Sequence, residues 1–126
     1  HLPDSVVMEG NQLGTNTAGN GVGGYQLAAA ASNVQVDIYN AAGIKLDTIT
    51  QSGMSAGLQS FEWTPPSGTS MNGLTFKVNA TSGGKAITST PMMSDLVDAV
   101  STGSNGLMLE LRNSGSTAYN KIKTVS

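Results

Sequence analysis

Few residues in this chain could do covalent or metal chemistry, and they do not form a catalytic pattern. Two carboxylates, Asp95 and Asp98, are three positions apart and could hold a hard cation together with loop carbonyls. The sole histidine is His1, at a chain end where a general base is rarely held in place, and cysteine is absent. The sequence therefore predicts solvated loop carboxylates, with no catalytic residue and no metal site.

A Gly-rich run, Gly19–Gly24, contains the pattern G-x-G-x-x-G that is found in dinucleotide-binding proteins. That pattern binds a pyrophosphate only when a hydrophobic strand precedes it and a helix follows it. The preceding segment, residues 12–18, is too polar for such a strand, and no capped helix follows. We therefore expect a Gly-rich loop without a bound cofactor.

The charge and hydropathy of the chain exclude further classes of partner. The net charge is −2 with only six Lys and Arg residues, so no basic stripe is available to neutralise the phosphates of a nucleic acid. No apolar run reaches the roughly 18 to 20 residues that span a bilayer, which predicts no membrane insertion. The first residues lack the basic and then apolar pattern of a cleaved leader.

Alternating apolar residues predict a β-hairpin over residues 34–50. Val34, Val36 and Ile38 fall on one face of a strand, as expected for a half-buried strand. Gly43 supplies the positive φ that closes the turn, after which Ile44 and Leu46 resume the alternation. We expect these five side chains to point into a core.

Two further strands bring the aromatic residues into the same core. One strand ends at Trp63, which shares a face with Phe61, and the two prolines at 65 and 66 prevent the strand from continuing. The next strand follows Asn72-Gly73. Its inward residues are Leu74, Phe76 and Val78.

The remaining segments carry weaker signals. A turn at residues 82–84 predicts a return strand over 85–93, and the turn at 104–106 precedes a strand with Leu107, Leu109 and Leu111 on one face. The composition of residues 10–24 predicts short, irregular strands. Residues 25–31 predict a strand that ends at Leu27, and the end of the chain predicts a short turn.

The order of these segments resembles the C-terminal half of the flagellar hook-capping proteins, the FlgD family. The resemblance is carried by residues 34–47, 57–63 and 73–80, with residues 7–10, 102–107 and 119–125 as the opening and closing segments. The chain departs from the family after Trp63, where Thr64-Pro65 replaces Asp-Gly, and at Asn72-Gly73-Leu74, where the family has Asp-Gly-x-Tyr. The conformation of the loop 64–73 is therefore not carried over.

The resemblance implies an all-β fold in which an Ig/fibronectin-III-like sandwich, residues 25–90, is inserted into a small Tudor-like β-barrel made from residues 1–24 and 91–126. It also implies that a further N-terminal region precedes this part of the protein. The implied function is a hook cap, a scaffold that promotes polymerisation of hook subunits.

The implied partners are flagellar hook protein subunits and further copies of the chain in a homo-oligomeric cap. The implied location is the tip of the growing hook, reached through the flagellar export apparatus without a cleaved leader. A different class remains open from the residues alone, namely an Ig-like accessory or carbohydrate-binding module of a secreted enzyme or adhesin. That alternative requires exposed coplanar aromatic rings, and Trp63 is the candidate.

Overall fold

The computed structural model describes residues 5–104, 106–112 and 114–125, which form an all-β chain. The strands are β1 Ser5–Glu9, β2 Gly14–Thr15, β3 Gly21–Leu27, β4 Ala31–Tyr39, β5 Lys45–Met54, β6 Gly57–Trp63, β7 Thr75–Ser82, β8 Lys85–Ile87, β9 Ser89–Gly103, β10 Gly106–Leu111, β11 Gly115–Ala118 and β12 Ile122–Val125. One 3-10 turn, Tyr119–Lys121, precedes β12. No described helix has the length and apolar character of a membrane span.

The chain divides into two units. The central unit comprises residues 10–92, and the terminal unit comprises the described parts of residues 1–9 and 93–126. We expected residues 10–24 to belong with the chain ends, but β3 pairs with β6 over its whole length, from Gly21 opposite Trp63 to Leu27 opposite Gly57. Residues 10–24 thus belong to the central unit. The expected return strand over residues 85–93 is also divided, between β8 and β9.

The central unit is a β-sandwich. One sheet has the strand order β5-β4-β7-β8, and in the other sheet β3 lies between β6 and the first residues of β9. Val36 is opposite Ile49 on one side and Val78 on the other, which fixes the register of the first sheet. Residues 64–73 contain no strand, as the two prolines predict.

The core of the sandwich contains most of the side chains that the alternation predicts. The buried members of the predicted set are Val34, Val36, Ile38, Phe61, Trp63, Leu74 and Phe76, and Val78 is half-buried against them. The rings of Phe61 and Phe76 meet edge to face, with centroids 5.0 Å apart and planes at 73°. Aromatic pairs favour this geometry because the positive edge of one ring faces the negative face of the other.

The prediction that Ile44 and Leu46 lie in the core was wrong. Both are exposed. Ile44 lies in the hairpin turn, before β5 begins, and Leu46 lies at a β-bulge that shifts the register between Ile38, opposite Asp47, and Tyr39, opposite Lys45. The extra residue is Leu46, and beyond the bulge the inward face of β5 carries Asp47 and the partly buried Ile49. A single extra residue exchanges the two faces of a strand because side chains alternate with period two.

Strand β3 is regular, although its glycines predicted irregular structure. Glycine is needed at two positions of β3 because side chains of the core lie against the backbone there. A Cβ at Gly23 would lie 2.6 Å from Cζ of Phe61, and a Cβ at Gly21 would lie 2.6 Å from Cδ2 of Leu13. The aromatic and aliphatic groups of the core therefore occupy the space that a side chain would take.

The terminal unit has the strand order β11-β10-β9-β1-β12, with residues of β9 from Met93 onward. Its core contains Val6, Leu109 and Leu111. The prediction for Leu107 was wrong: it is 41% exposed, at the turn end of the β9–β10 hairpin, where it lies opposite Thr102. The chain end is also a strand instead of a turn, since β12 pairs antiparallel with β1.

Candidate functional site

The carboxylates Asp95 and Asp98 lie on strand β9, not in a loop. Asp95 is 3% exposed, and its two oxygens accept hydrogen bonds from the backbone N–H groups of Leu96, at 2.8 Å, and Ser114, at 2.9 Å. Asp98 forms a surface ion pair with Arg112 at 3.0 Å. Asp95 thus has a structural role, and no cluster of three or more His, Cys, Asp or Glu residues suited to a metal ion occurs in the described part of the chain.

The Gly-rich run enters a strand rather than a phosphate-binding helix. Its first residues are in a turn, where Gly19 has φ +83°, and Gly21 begins β3. Hydrogen bonds to Glu62 on β6 stabilise the turn. The side-chain amides of Asn16 and Asn20 both donate to its Oε2, at 3.1 and 2.7 Å. These bonds, with Asn20 the stronger influence, lower the pKa of Glu62. The glycines serve packing and turn geometry.

Trp63 is a core residue whose one polar atom is satisfied at the edge of the sandwich. Its side chain is 3% exposed, and its indole Nε1 donates to Oδ2 of Asp47. This hydrogen bond is the main cause of the lowered pKa of Asp47, and the Thr48 N–H adds to it. A buried indole cannot serve as a platform on which a sugar ring stacks.

A second side chain on β5 also reaches the opposite sheet. Gln51 accepts a hydrogen bond from the hydroxyl of Tyr25 and donates through Nε2 to the carbonyl of Ser60 at 3.2 Å. Burial raises the pKa of Tyr25, so this hydroxyl stays protonated and remains a donor. The alternation of β5 predicted neither Asp47 nor Gln51 as an inward residue, because no feature of the sequence marks the bulge.

The outward side of the first sheet forms a polar face on β4, β5 and β7. Its members are Gln35, Asp37, Tyr39, Thr48, Thr50, Lys77 and Asn79, which are cross-strand neighbours. At its centre Asp37 is only 6% exposed, and its Oδ1 accepts hydrogen bonds from Gln35, at 3.0 Å, and Thr48, at 2.8 Å.

Charges and hydrogen bonds at the polar face keep Asp37 ionised. Burial opposes the charged form, but the bonds from Gln35 and Thr48, with the nearby Lys45 and Lys77, lower the pKa of this carboxyl. Nζ of Lys77 also lies 5.1 Å from the ring centroid of Tyr39. The polar face is therefore a preorganised surface of amide, hydroxyl and ammonium groups that can make hydrogen bonds to a partner.

The fold and these surfaces define an Ig-like β-sandwich module that is joined to a second β unit. Residues 10–84, more than half of the chain, match the family model of the FlgD Ig-like domain. The chain belongs to the FlgD family. No curated protein sequence matches it.

Two solved structures of FlgD are similar to the whole chain. The protein from Xanthomonas campestris is 25% identical with a TM-score of 0.74, and the match covers 99% of this chain and 94% of that one. The protein from Pseudomonas aeruginosa is 24% identical with a TM-score of 0.73, over 99% of this chain and 98% of that one. The structure of the Xanthomonas protein is described as giving insights into hook capping, which is essential for flagellar assembly.

Proposed function

We propose that this chain is part of a flagellar hook cap, a scaffold that promotes polymerisation of hook subunits at the tip of the growing hook. The observation that carries the proposal is the match of residues 10–84 to the FlgD Ig-like domain, together with a likeness to the Xanthomonas hook-capping protein over nearly the whole chain. The mechanism is steric and associative, and involves no catalytic step.

A cap must release each contact as new subunits add beneath it, so its contacts must be individually weak. Small polar interfaces have this property, whereas large apolar interfaces tend to be permanent. The polar face suits the requirement, since Thr50, Lys77 and Asn79 are exposed on it around the buried carboxylate of Asp37. We infer that this face contacts hook subunits.

The proposal also assigns partners and location. Hook protein subunits are the main partners, and copies of the chain form the cap itself. The protein leaves the cell through the flagellar export apparatus. We further propose that the terminal unit is Tudor-like, and the order of its five strands around the core of Val6, Leu109 and Leu111 supports this.

Deletion of the gene in the motile source organism tests the function. We expect hooks to stop growing and monomeric hook protein to accumulate in the medium, because no cap retains the subunits at the tip. Expression of the full-length gene should restore both. Normal hooks in the deletion strain would exclude the scaffold function.

A charge reversal on the polar face tests the contact surface separately. Lys77→Glu adds a carboxylate near Asp37 and removes the ammonium that faces Tyr39, so hook assembly should weaken while the chain stays folded. The matched control is Lys121→Glu in the terminal unit, where the residue is also exposed. Equal assembly by the two variants would show that subunits bind elsewhere, without affecting the cap proposal.

The carbohydrate-binding alternative has little support. Of the six aromatic residues, four are buried: Tyr25, Phe61, Trp63 and Phe76. The other two belong to different units, Tyr39 being half-buried in the central one and Tyr119 44% exposed in the terminal one. Neither unit therefore carries a pair of exposed rings for stacking on a sugar.

A further inference from the structure

The sequence contains three Asn-Gly pairs, and the structure gives two of them opposite surroundings. The pairs are Asn20-Gly21, Asn72-Gly73 and Asn105-Gly106, of which Asn105 lies outside the described residues. An asparagine before glycine is prone to attack by the next backbone nitrogen, because glycine has no Cβ to hinder the approach. We propose that Asn72 is a site of spontaneous deamidation and that the fold protects Asn20.

The reaction requires only water. The backbone nitrogen of Gly73 loses its proton and forms a bond to Cγ of Asn72, the bond from Cγ to Nδ2 breaks, and the nitrogen leaves as ammonia after taking up that proton. The product is a five-membered succinimide. Water then opens the ring at one of its two carbonyls, which gives either aspartate or isoaspartate at position 72.

Asn72 and Gly73 lie outside the kind of strand pairing that holds Gly21, the residue after Asn20. Asn72 and Gly73 are exposed turn residues outside any strand, and Gly73 has φ +74°. The described part of the chain offers Asn72 no side-chain hydrogen bond. The nearest constraint is packing, since a Cβ at Gly73 would lie 2.8 Å from Cβ of Ala41.

The surroundings of Asn20 restrain both reacting groups. Its side-chain Nδ2 donates to Oε2 of Glu62 at 2.7 Å, and its backbone N–H donates to Oδ1 of Asn16 at 3.0 Å. The attacking nitrogen would be that of Gly21, which is buried in β3 between Thr15 and Trp63. Attack at Asn20 therefore requires the strand pairing to open and a charge-assisted hydrogen bond to break.

Peptide mapping by mass spectrometry after incubation of the intact chain in mildly alkaline buffer tests the proposal. The hydrogen bond from Asn20 to the charged Glu62 must break before Asn20 can react. The cost of breaking this one bond predicts that Asn72 is converted at least about tenfold faster than Asn20. Isoaspartate at position 72 should also accept a methyl group from a protein isoaspartyl methyltransferase. Conversion of Asn20 at an equal or higher rate would overturn the proposal.

Two comparisons determine whether the fold causes the difference. In concentrated urea the rates at Asn20 and Asn72 should converge, and a difference that persists there would overturn the structural explanation. Glu62→Gln should accelerate conversion of Asn20 and leave that of Asn72 unchanged in the folded chain. Asn72→Gln should remove the signal at position 72, because glutamine would have to form a less favourable six-membered ring.

Discussion

The indole Nε1 of Trp63 donates a hydrogen bond of 2.8 Å to Oδ2 of Asp47. Trp63 ends β6 and Asp47 lies on β5, so this bond connects the two sheets of the sandwich. It satisfies the polar atom of a side chain that is otherwise packed among apolar groups, and a buried donor without a partner would be costly. The edge strand β5 is thereby held to the opposite sheet.

Truncation of Trp63 should strongly destabilise the central unit. Trp63→Ala should lower the free energy of unfolding by about 3 to 5 kcal/mol, because it leaves a cavity and removes the bond to Asp47. Urea denaturation followed by circular dichroism measures the loss. The control is Leu58→Ala on the same strand, where the side chain is 42% exposed and the change should stay within about 0.5 kcal/mol. Equal losses in the two variants would contradict the assignment of Trp63 to the core.

Asp47 should make stability depend on pH. Its folded-state pKa is lowered, mainly by the bond from Trp63, so the charge stabilises the fold above the unfolded-state pKa and this contribution disappears as the pH falls through the folded-state pKa. The parent chain should exceed Asp47→Asn in stability at neutral pH by less than about 1 kcal/mol, since the carboxylate is solvent-exposed. The difference should vanish in acid.

Denaturation curves at neutral pH and at an acid pH below the folded-state pKa of Asp47 measure this dependence. Glu9→Gln changes an exposed carboxylate in the other unit and serves as the control. A constant difference between the parent chain and Asp47→Asn at both pH values would show that the charge of Asp47 contributes nothing.

Gly23 should tolerate no side chain. In Gly23→Ala the new Cβ would lie 2.6 Å from Cζ of Phe61 and 3.1 Å from Cε1 of Phe76, so the two rings must move at a cost of about 1 to 3 kcal/mol. Gly14→Ala is the matched control, because its Cβ would make an ordinary contact of 3.4 Å with Val22. Thermal denaturation should therefore separate the two variants, and equal melting temperatures would contradict the close packing on β3.

Strand alternation predicted the all-β fold and most of the central core, because β4 and β7 keep an unbroken period of two from Val34 to Ile38 and from Phe76 to Ala80. The errors have physical causes that a single sequence does not display. The bulge at Leu46 reverses the faces of β5, and the glycines of β3 are required by side chains that come from distant parts of the chain.

The candidate site was not predictable from the sequence alone. Asp37 was visible as an outward polar residue, but the alternation placed Thr48 on the inward face with Ile44 and Leu46. Their hydrogen bond depends on the actual register between β4 and β5. The hydrogen bond from Trp63 to Asp47 depends on the bulge, beyond which Asp47 lies on the inward face of β5. Tertiary pairing therefore determines both the polar face and the connection between the sheets.

Two separate cores predict two patterns of local protection. Leu109→Ala removes a fully buried side chain from the terminal unit, and Val36→Ala does the same in the central unit. Native-state hydrogen exchange should show lost protection in β10 and β12 for the first variant and in β4 and β7 for the second. Uniform loss throughout the chain in both variants would contradict the division into two units.

The position of the protein during hook growth tests the central claim most directly. Immunogold labelling of the full-length protein, viewed by electron microscopy on cells with growing hooks, should place the label at the distal tip of each hook. Labelling should be absent from finished flagella, because the proposed cap acts only while the hook is growing. Label along the hook shaft, or none on growing hooks, would contradict the account of this chain as part of a hook cap.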